Sequence, residues 1–319
     1  MPGGNLELEA GAFDHQINER VKNGHFPDLR RSGRCEYFYN NVWRDQYFAN
    51  LYFGELVQKV IQSASKYFPG KDLRDLTLLE VGCGPGHVCL ELARNRLNVV
   101  GLDISQACLG IARKVANEDP YSEGRGTINY VCSDFLEFQG TFDIILFTAS
   151  LHHFPNTDEI ISHSFNLLKK GGILIADEPI RDQVSRKNAA VILLLKGLLS
   201  ATGSYHDKVS VPLDEKGLGN LLQEIYTHER YETEEGEKLQ SVNDNEAGLN
   251  DMYGALNKYY QQLEFVKDFA IYHQTIGGLR LNSIEEEHKS ALFIKQMDSL
   301  LCSLGVLDPT NFYFVGRKE

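Results

Sequence analysis

The stretch Leu78-Leu79-Glu80-Val81-Gly82-Cys83-Gly84-Pro85-Gly86-His87 determines how the rest of the chain is read. With Leu76 ahead of it, the run Leu78, Leu79 and Val81 has the apolar character of a strand buried on both faces. Gly82, Gly84 and Gly86 then let the backbone turn sharply and lie close to a ligand. Val88, Cys89, Leu92 and Ala93 mark one face of a following helix, whose first amides point back over the glycines. Strand, glycine turn and helix in this order hold a nucleotide-like group at the edge of an open α/β sheet.

Working outward, residues 98–102 read as a second strand that ends at Asp103. Asp103 stands 21 residues beyond Gly82 (103 − 82), close to the spacing of about 20 at which an acidic side chain meets ribose hydroxyls in such folds. A carboxylate suits the task because it can accept from two vicinal hydroxyls at once. Residues 127–132 form a third strand before Ser133-Asp134-Phe135, and residues 142–147 a fourth. The fourth runs into Thr148-Ala149-Ser150-Leu151-His152-His153-Phe154-Pro155, which should border the reacting atoms because ligands lie beyond the carboxyl ends of the strands. Asn156 with Glu159 has the pattern of a capping box; Ile161, Phe165 and Leu168 make a helical stripe; Lys169-Lys170 and Gly171 suit the helix end. Residues 172–176 are then a fifth strand.

The glycine spacing departs from the dinucleotide fingerprint G-x-G-x-x-G, since His87 stands where the third glycine belongs. Glu80-Val81-Gly82-Cys83-Gly84-Pro85-Gly86 instead resembles the first motif of class I S-adenosylmethionine-dependent methyltransferases. Residues 99–105, Ser133-Asp134-Phe135, the Leu151-His152-His153 string after strand four and Leu167-Leu168-Lys169-Lys170-Gly171-Gly172-Ile173-Leu174 extend the resemblance over roughly residues 76–179. It implies a Rossmann-like α/β sheet of seven mostly parallel strands with an antiparallel last strand, and S-adenosyl-L-methionine as cofactor. Glu80, Gly82, Cys83, Gly84 and Gly86 would surround its methionine part. Asp103 would hold the ribose, Ile104 would pack on adenine, and Ser133, Asp134 and Phe135 would meet the adenine edge and face. Thr148 opens the loop expected at the methyl group. His152 and His153 are the nearest titratable groups, and His153 is the preferred candidate for a base, the other role for this pair being to hold the loop and line the pocket. Tyr205, His206 and His273 have nothing specific behind them.

Around this core the chain divides at 1–70, 71–179, 180–262 and 263–319. Residues 1–30 read as a polar, mobile arm. Tyr37, Phe38, Tyr39, Trp43, Tyr47, Phe48, Tyr52 and Phe53 crowd one segment that continues as a helix to Tyr67, either packing on the core or forming a lid over a substrate pocket. Residues 180–262 read as a helical insertion between strands five and six, with helices over 218–226 and 249–260 and an acidic run at 232–237. A strand at 263–273, a helix at 284–304 and a last strand at 311–316 complete the sheet.

Composition narrows the function classes. A net charge of −12 argues against non-specific affinity for nucleic acid or an anionic membrane. The six cysteines form no C-x-x-C pair, so the expectation is no metal and a reduced, cytoplasmic thiol set. No apolar signal core stands in residues 1–10, and the longest apolar run, 189–195, is too short to span a bilayer. A nucleic-acid amino-methyltransferase would carry a D/N-P-P-aromatic string where Thr148-Ala149-Ser150-Leu151 stands. A nicotinamide oxidoreductase would share the glycine turn and the acidic ribose ligand but would not explain the loop after strand four. A cofactor-binding protein without methyl transfer, or with another reaction, is the remaining alternative. The reading reached is methyl transfer to a small-molecule acceptor by in-line displacement.

Overall fold

The computed structural model describes residues 3–319 apart from 213 and 234–236, so the middle of the acidic run at 232–237 lies outside the described residues. Seven strands form one sheet: β1 (Thr77–Val81), β2 (Asn98–Asp103), β3 (Ile128–Cys132), β4 (Phe142–Thr148), β5 (Leu168–Pro179), β6 (Gln261–Asp268) and β7 (Asn311–Arg317). Their order is β3-β2-β1-β4-β5-β7-β6. The first five are parallel, and β7 runs antiparallel to both β5 and β6. The order reverses between β1 and β4, which opens a crevice beyond their carboxyl ends. Helices α1 (Gly3–Lys22), α2 (Gln46–Ala49) and α3 (Glu55–Tyr67) precede the sheet. Helices α4 (His87–Arg94), α5 (Gln106–Asn117) and α6 (Thr157–Leu167) connect its parallel strands. Between β5 and β6 stand α7 (Arg186–Ala201), α8 (Glu215–Glu229) and α9 (Leu249–Tyr259); α10 (Tyr272–Thr275) and α11 (Ile284–Ser303) lead into β7.

Strand alternation sends Leu78, Ile144 and Leu146 to the face covered by Val60, Val88 and Leu92, and Leu79, Ile145 and Phe147 to the face covered by Ile160, Ile161 and Leu256. All are buried, and each such side chain is worth about 1.5–3 kcal/mol when taken from water. Covering both faces is what the continuous apolar strands require.

Several elements differ from the sequence reading. The expected mobile arm is the helix α1, because Leu6, Phe13 and Ile17 recur at helical spacing and Ile17 is fully buried. Beyond α1, buried Asp28 bonds Arg94 at 2.8 Å and Arg31 at 2.5 Å. Burial pushes its carboxyl up, but these guanidinium bonds outweigh it and hold it at about 2. Helix α6 ends at Leu167, before Lys169-Lys170; Lys169 Nζ instead reaches Asp143 at 2.7 Å, and β5 starts early at Leu168. β6 stops at Asp268 because the Asp298 carboxylate accepts from the amides of Ala270, Ile271 and Tyr272, which turns the chain into α10. The aromatic segment packs as core: Phe38 and Phe48 are buried, and Trp43 and Phe53 clasp the His87 ring at 4.8 and 4.5 Å. Among the described residues no helix is long and apolar enough to cross a membrane.

Candidate functional site

A cavity of about 400 Å³ lies beyond the carboxyl ends of β1, β2 and β4. One end is walled by Gly82, Gly84, Asp103, Ile104, Ser133, Asp134, Phe135 and Leu136. The glycine turn is tied to β2: the amides of Gly82 and Cys83 donate to Leu102 O at 2.8 and 3.0 Å, and Gly84 N donates to Asp103 Oδ2 at 2.7 Å. Ser105 N takes the other oxygen, Oδ1, at 2.8 Å. Each carboxylate oxygen therefore keeps a second acceptor site for a ligand. Burial pushes the Asp103 carboxyl up, against the backbone N–H bonds that lower it. Asp134 Oδ1 caps the next turn by accepting from Leu136 N at 3.0 Å.

Two glycines are required by close approach. At Gly82, with φ +71°, an added Cβ would lie 2.6 Å from Ser150 Cβ, so this glycine lets the loop after β4 reach β1. At Gly86, with φ +74°, it would lie 2.5 Å from the Tyr130 hydroxyl.

Four of the residues expected at the cofactor lie behind the wall. Glu80 is buried under the turn, where Cys89 Sγ donates to it at 2.8 Å and burial pushes its carboxyl up to about 8. Burial likewise pushes the Cys83 thiol up to about 11. Gly86 is covered by Tyr130. Thr148 is buried with its hydroxyl unpartnered among the described residues, and its neighbour Ala149, at φ +45°, lines the cavity instead.

The other end is walled by His153, Phe154, Pro155 and Asn156 after β4, by Asn5, Leu6, Glu9 and Phe13 of α1, and by Gln240 and Asn243. The aromatic residues of 35–53 take no part in this wall; α1 covers the cavity in place of the expected aromatic lid. Glu9 accepts from Ser241 Oγ at 2.8 Å and Asn243 N at 3.0 Å and lies 3.1 Å from His153 Nδ1. Burial pushes the Glu9 carboxyl up, but the bonds from His153, Ser241 and Asn243 carry it below the ordinary value. The Phe13 ring meets His153 edge-on at 5.5 Å. With Nδ1 held by Glu9, Nε2 of His153 has no hydrogen-bond partner among the described residues.

His152 serves a different purpose. Its Nδ1 lies 2.8 Å from Glu178 Oε2, and Glu178 also accepts from the amides of Ser150 and Leu151 at 2.9 and 2.8 Å. This buried carboxylate at the end of β5 fixes the loop that presents His153. Burial pushes Glu178 up to about 7 and the His152 imidazole well below its usual range. Of the weaker candidates, Tyr205 packs on Gly278, and His273 Nε2 bonds the Tyr272 hydroxyl at 2.8 Å.

The sequence reading missed α1, Gln240 and Asn243. Leu6, Phe13 and Ile17 were a signal, diluted by Gly3, Gly4 and Gly11. No local pattern marks residues 240–243, which matter through contacts with residues distant in sequence, Glu9 and His153.

A family described as "Methyltransferase domain" matches residues 53–228, more than half of the chain. The ubiquinone biosynthesis O-methyltransferase of Saccharomyces cerevisiae mitochondria is 36% identical over 114 residues, covering 35% of this chain and 36% of that protein. The chain thus spans little more than a third of that curated relative's length. The magnesium protoporphyrin IX methyltransferase of Synechocystis PCC 6803, solved with bound SAH, superposes over 99% of this chain and 100% of its own, with a TM-score of 0.53 and 13% identity. The [4+2]-cyclase SpnF superposes over 98% and 96%, with a TM-score of 0.50 and 14% identity. At such identities these two show a shared fold.

Proposed function

The chain belongs to the methyltransferase-domain family, and from that membership we propose that it moves the methyl group of S-adenosylmethionine to a small-molecule acceptor. The observation that carries the reading is Asp103: it ends β2, lines the cavity, is aimed by Gly84 N and Ser105 N, and retains acceptor capacity. The wall fits the cofactor in shape and charge. Ile104, Phe135 and Leu136 supply apolar surface for a flat ring, Asp134 an acceptor for an amino group, and Gly82 and Gly84 exposed backbone. Among the described wall residues there is no Lys or Arg, whereas Glu9, Asp103, Asp134 and Glu159 are present, which suits a cation. When bound, S-adenosylmethionine supplies a methyl group already activated on a positively charged sulfur. The chain's own contribution is then to bind, align and exclude water. α1 closes the acceptor end. His153 takes the proton of an acceptor that arrives protonated, through Nε2, while Glu9 fixes its ring.

The same charge pattern selects acceptors. With Glu9 at that end and no Lys or Arg among the described wall residues, an uncharged or cationic molecule is favoured over a phosphate or carboxylate. Six free cysteines support action in a reducing compartment, the cytoplasm, and the acidic net charge supports a small molecule over nucleic acid.

The test is calorimetric titration with S-adenosylhomocysteine and, separately, NADH, repeated on Asp103→Ala. Hydrogen bonds to a charged acceptor are worth about 1.5–3 kcal/mol each, so losing two should weaken binding by roughly 100-fold or more. Binding of NADH, or of neither compound, sinks the reading. Because the fold is shared with a cyclase, transfer of label from methyl-labelled cofactor must then be shown on an acceptor panel of phenols and amines beside carboxylates and phosphates.

A further inference from the structure

We propose that His152, His153 and Asp244 form a binding site for a divalent first-row transition-metal ion of the zinc class. One ring nitrogen of each histidine and one carboxylate oxygen of Asp244 lie within 4.8 Å of one another. The site is built and buried, with His152 5% and Asp244 2% exposed. Glu178 accepts backbone amides from the loop and faces His152 Nδ1 at 2.8 Å; with Glu178 ionised, Nδ1 carries the hydrogen and Nε2 presents its lone pair. That lone pair looks at Asp244 Oδ1 across 3.7 Å, and Asp244 Oδ2 has no hydrogen-bond partner among the described residues. Two acceptors face each other beside a buried carboxylate oxygen, a set of lone pairs that favours a cation.

The spacing suits a metal ion. With bonds of about 2.0–2.1 Å, adjacent ligand atoms of a tetrahedral zinc lie about 3.4 Å apart, close to the gap between His152 and Asp244. Glu178 behind His152 is the outer carboxylate that orients a metal-bound imidazole. Two imidazoles and one carboxylate select zinc, cobalt, nickel or iron over magnesium and calcium, and three protein ligands leave a coordination position for water or an acceptor oxygen. The ion would pin the segment near Asp244 to the loop after β4, directly behind the wall that His153 forms. It would also turn His153 from proton acceptor to ligand. Cysteine spacing could not announce such a site, because Asp244 is distant in sequence from both histidines.

The inference rests on this geometry and not on methyl transfer, so ion binding and S-adenosylhomocysteine binding are measured separately. The full chain, stripped of metal, is titrated with Co2+ and its visible absorption recorded, then Zn2+ is added. The expected result is one equivalent of Co2+ with nitrogen/oxygen-type bands, displaced by Zn2+. Asp244→Asn and, independently, His153→Gln should weaken binding by about 10- to 100-fold or beyond detection, while Asp244→Asn still binds S-adenosylhomocysteine and so is folded. Absence of saturable Co2+ binding overturns the proposal. So does a spectrum unchanged in both variants, or a thiolate charge-transfer band showing that cysteines take the ion.

Discussion

At one end of the cavity the wall residues lie within four positions of a strand end: Gly82 and Gly84 after β1, Asp103 and Ile104 at the end of β2, Ser133 to Leu136 after β3. At the other end Glu9 of α1 joins Asn243, 234 positions away, and His153 of the loop after β4. The first arrangement is fixed once the parallel strands pair, because register alone brings Val81, Leu102 and Phe147 level. The second forms only after distant segments dock, and it is held by a few polar bonds in place of a ladder. Locally encoded geometry should therefore be stiff and sensitive to single atoms. Long-range geometry should loosen by itself, without harming the first.

The largest effect is expected at the joint inside the stiff end. Gly82→Val places a branched side chain at φ +71° and against Ser150. The left-handed backbone alone costs about 1–2 kcal/mol, and overpacking typically adds about 1–3 kcal/mol. Calorimetry should find no S-adenosylhomocysteine binding, and normal binding would break the contrast.

Next comes pH. Glu80 under the glycine turn and Glu178 under the loop after β4 are both raised by burial, to about 8 and about 7. A raised carboxyl keeps its proton in the folded chain where the unfolded chain has lost it. Stability is then greatest near the unfolded value and falls as pH rises from about 4.5 towards 7–8. Melting temperature should decline from pH 5 to pH 8. Glu80→Gln should flatten that decline, by on the order of a few kcal/mol at the alkaline end. Glu178→Gln should not give the same benefit, since it disturbs three bonds that hold the loop. Equal behaviour of the two variants would show that the ends do not differ in how they use a buried acid.

The same division explains what could be read from residues alone. The sheet, its antiparallel last strand and the positions of Asp103, Ile104, Ser133, Asp134 and Phe135 were legible, because strand-end motifs encode them within a few neighbours. Glu80, Cys83, Gly86 and Thr148 also belong to those motifs. Burial, which sequence does not display, puts them behind the wall. His153 could be named but not its partner. Glu9 looked like one more acid in a polar arm, and only docking of α1 makes it a buried acceptor. The aromatic segment left two readings open, core packing and a lid; its rings pack on His87 and the core.

Glu9→Ala should test the loose end directly. It removes the acceptor for Ser241, Asn243 and His153, and a lost buried bond of this kind is worth about 1–3 kcal/mol. Hydrogen exchange should quicken over residues 5–17 and 240–244 and stay unchanged over β1 and β2. S-adenosylhomocysteine affinity should fall by less than about tenfold. Faster exchange in β1 would mean that the two ends are one cooperative unit.

The smallest effect should come from the contact that joins α1 to the stiff end. Asp14 Oδ1 accepts from Ser105 Oγ at 2.5 Å and from Ala107 N at 3.0 Å, so a carboxylate of α1 sits over the first turn of α5. Ser105 does not need Asp14 for its own task, because its Oγ still accepts from Cys108 N at 3.0 Å. Asp14→Asn keeps an oxygen acceptor and removes only the charge, which at a helix N-terminus is worth about 0.3–1 kcal/mol. Asp14→Ala also strands Ser105 Oγ and Ala107 N and should cost about 1–2 kcal/mol. Urea unfolding should rank the wild type first, Asp14→Asn second and Asp14→Ala last. Stopped-flow release of S-adenosylhomocysteine should quicken in the same order, because α1 then lifts more often from the cavity it covers. Release that stays constant while stability falls would show that α1 is a wall of the cavity without being its gate.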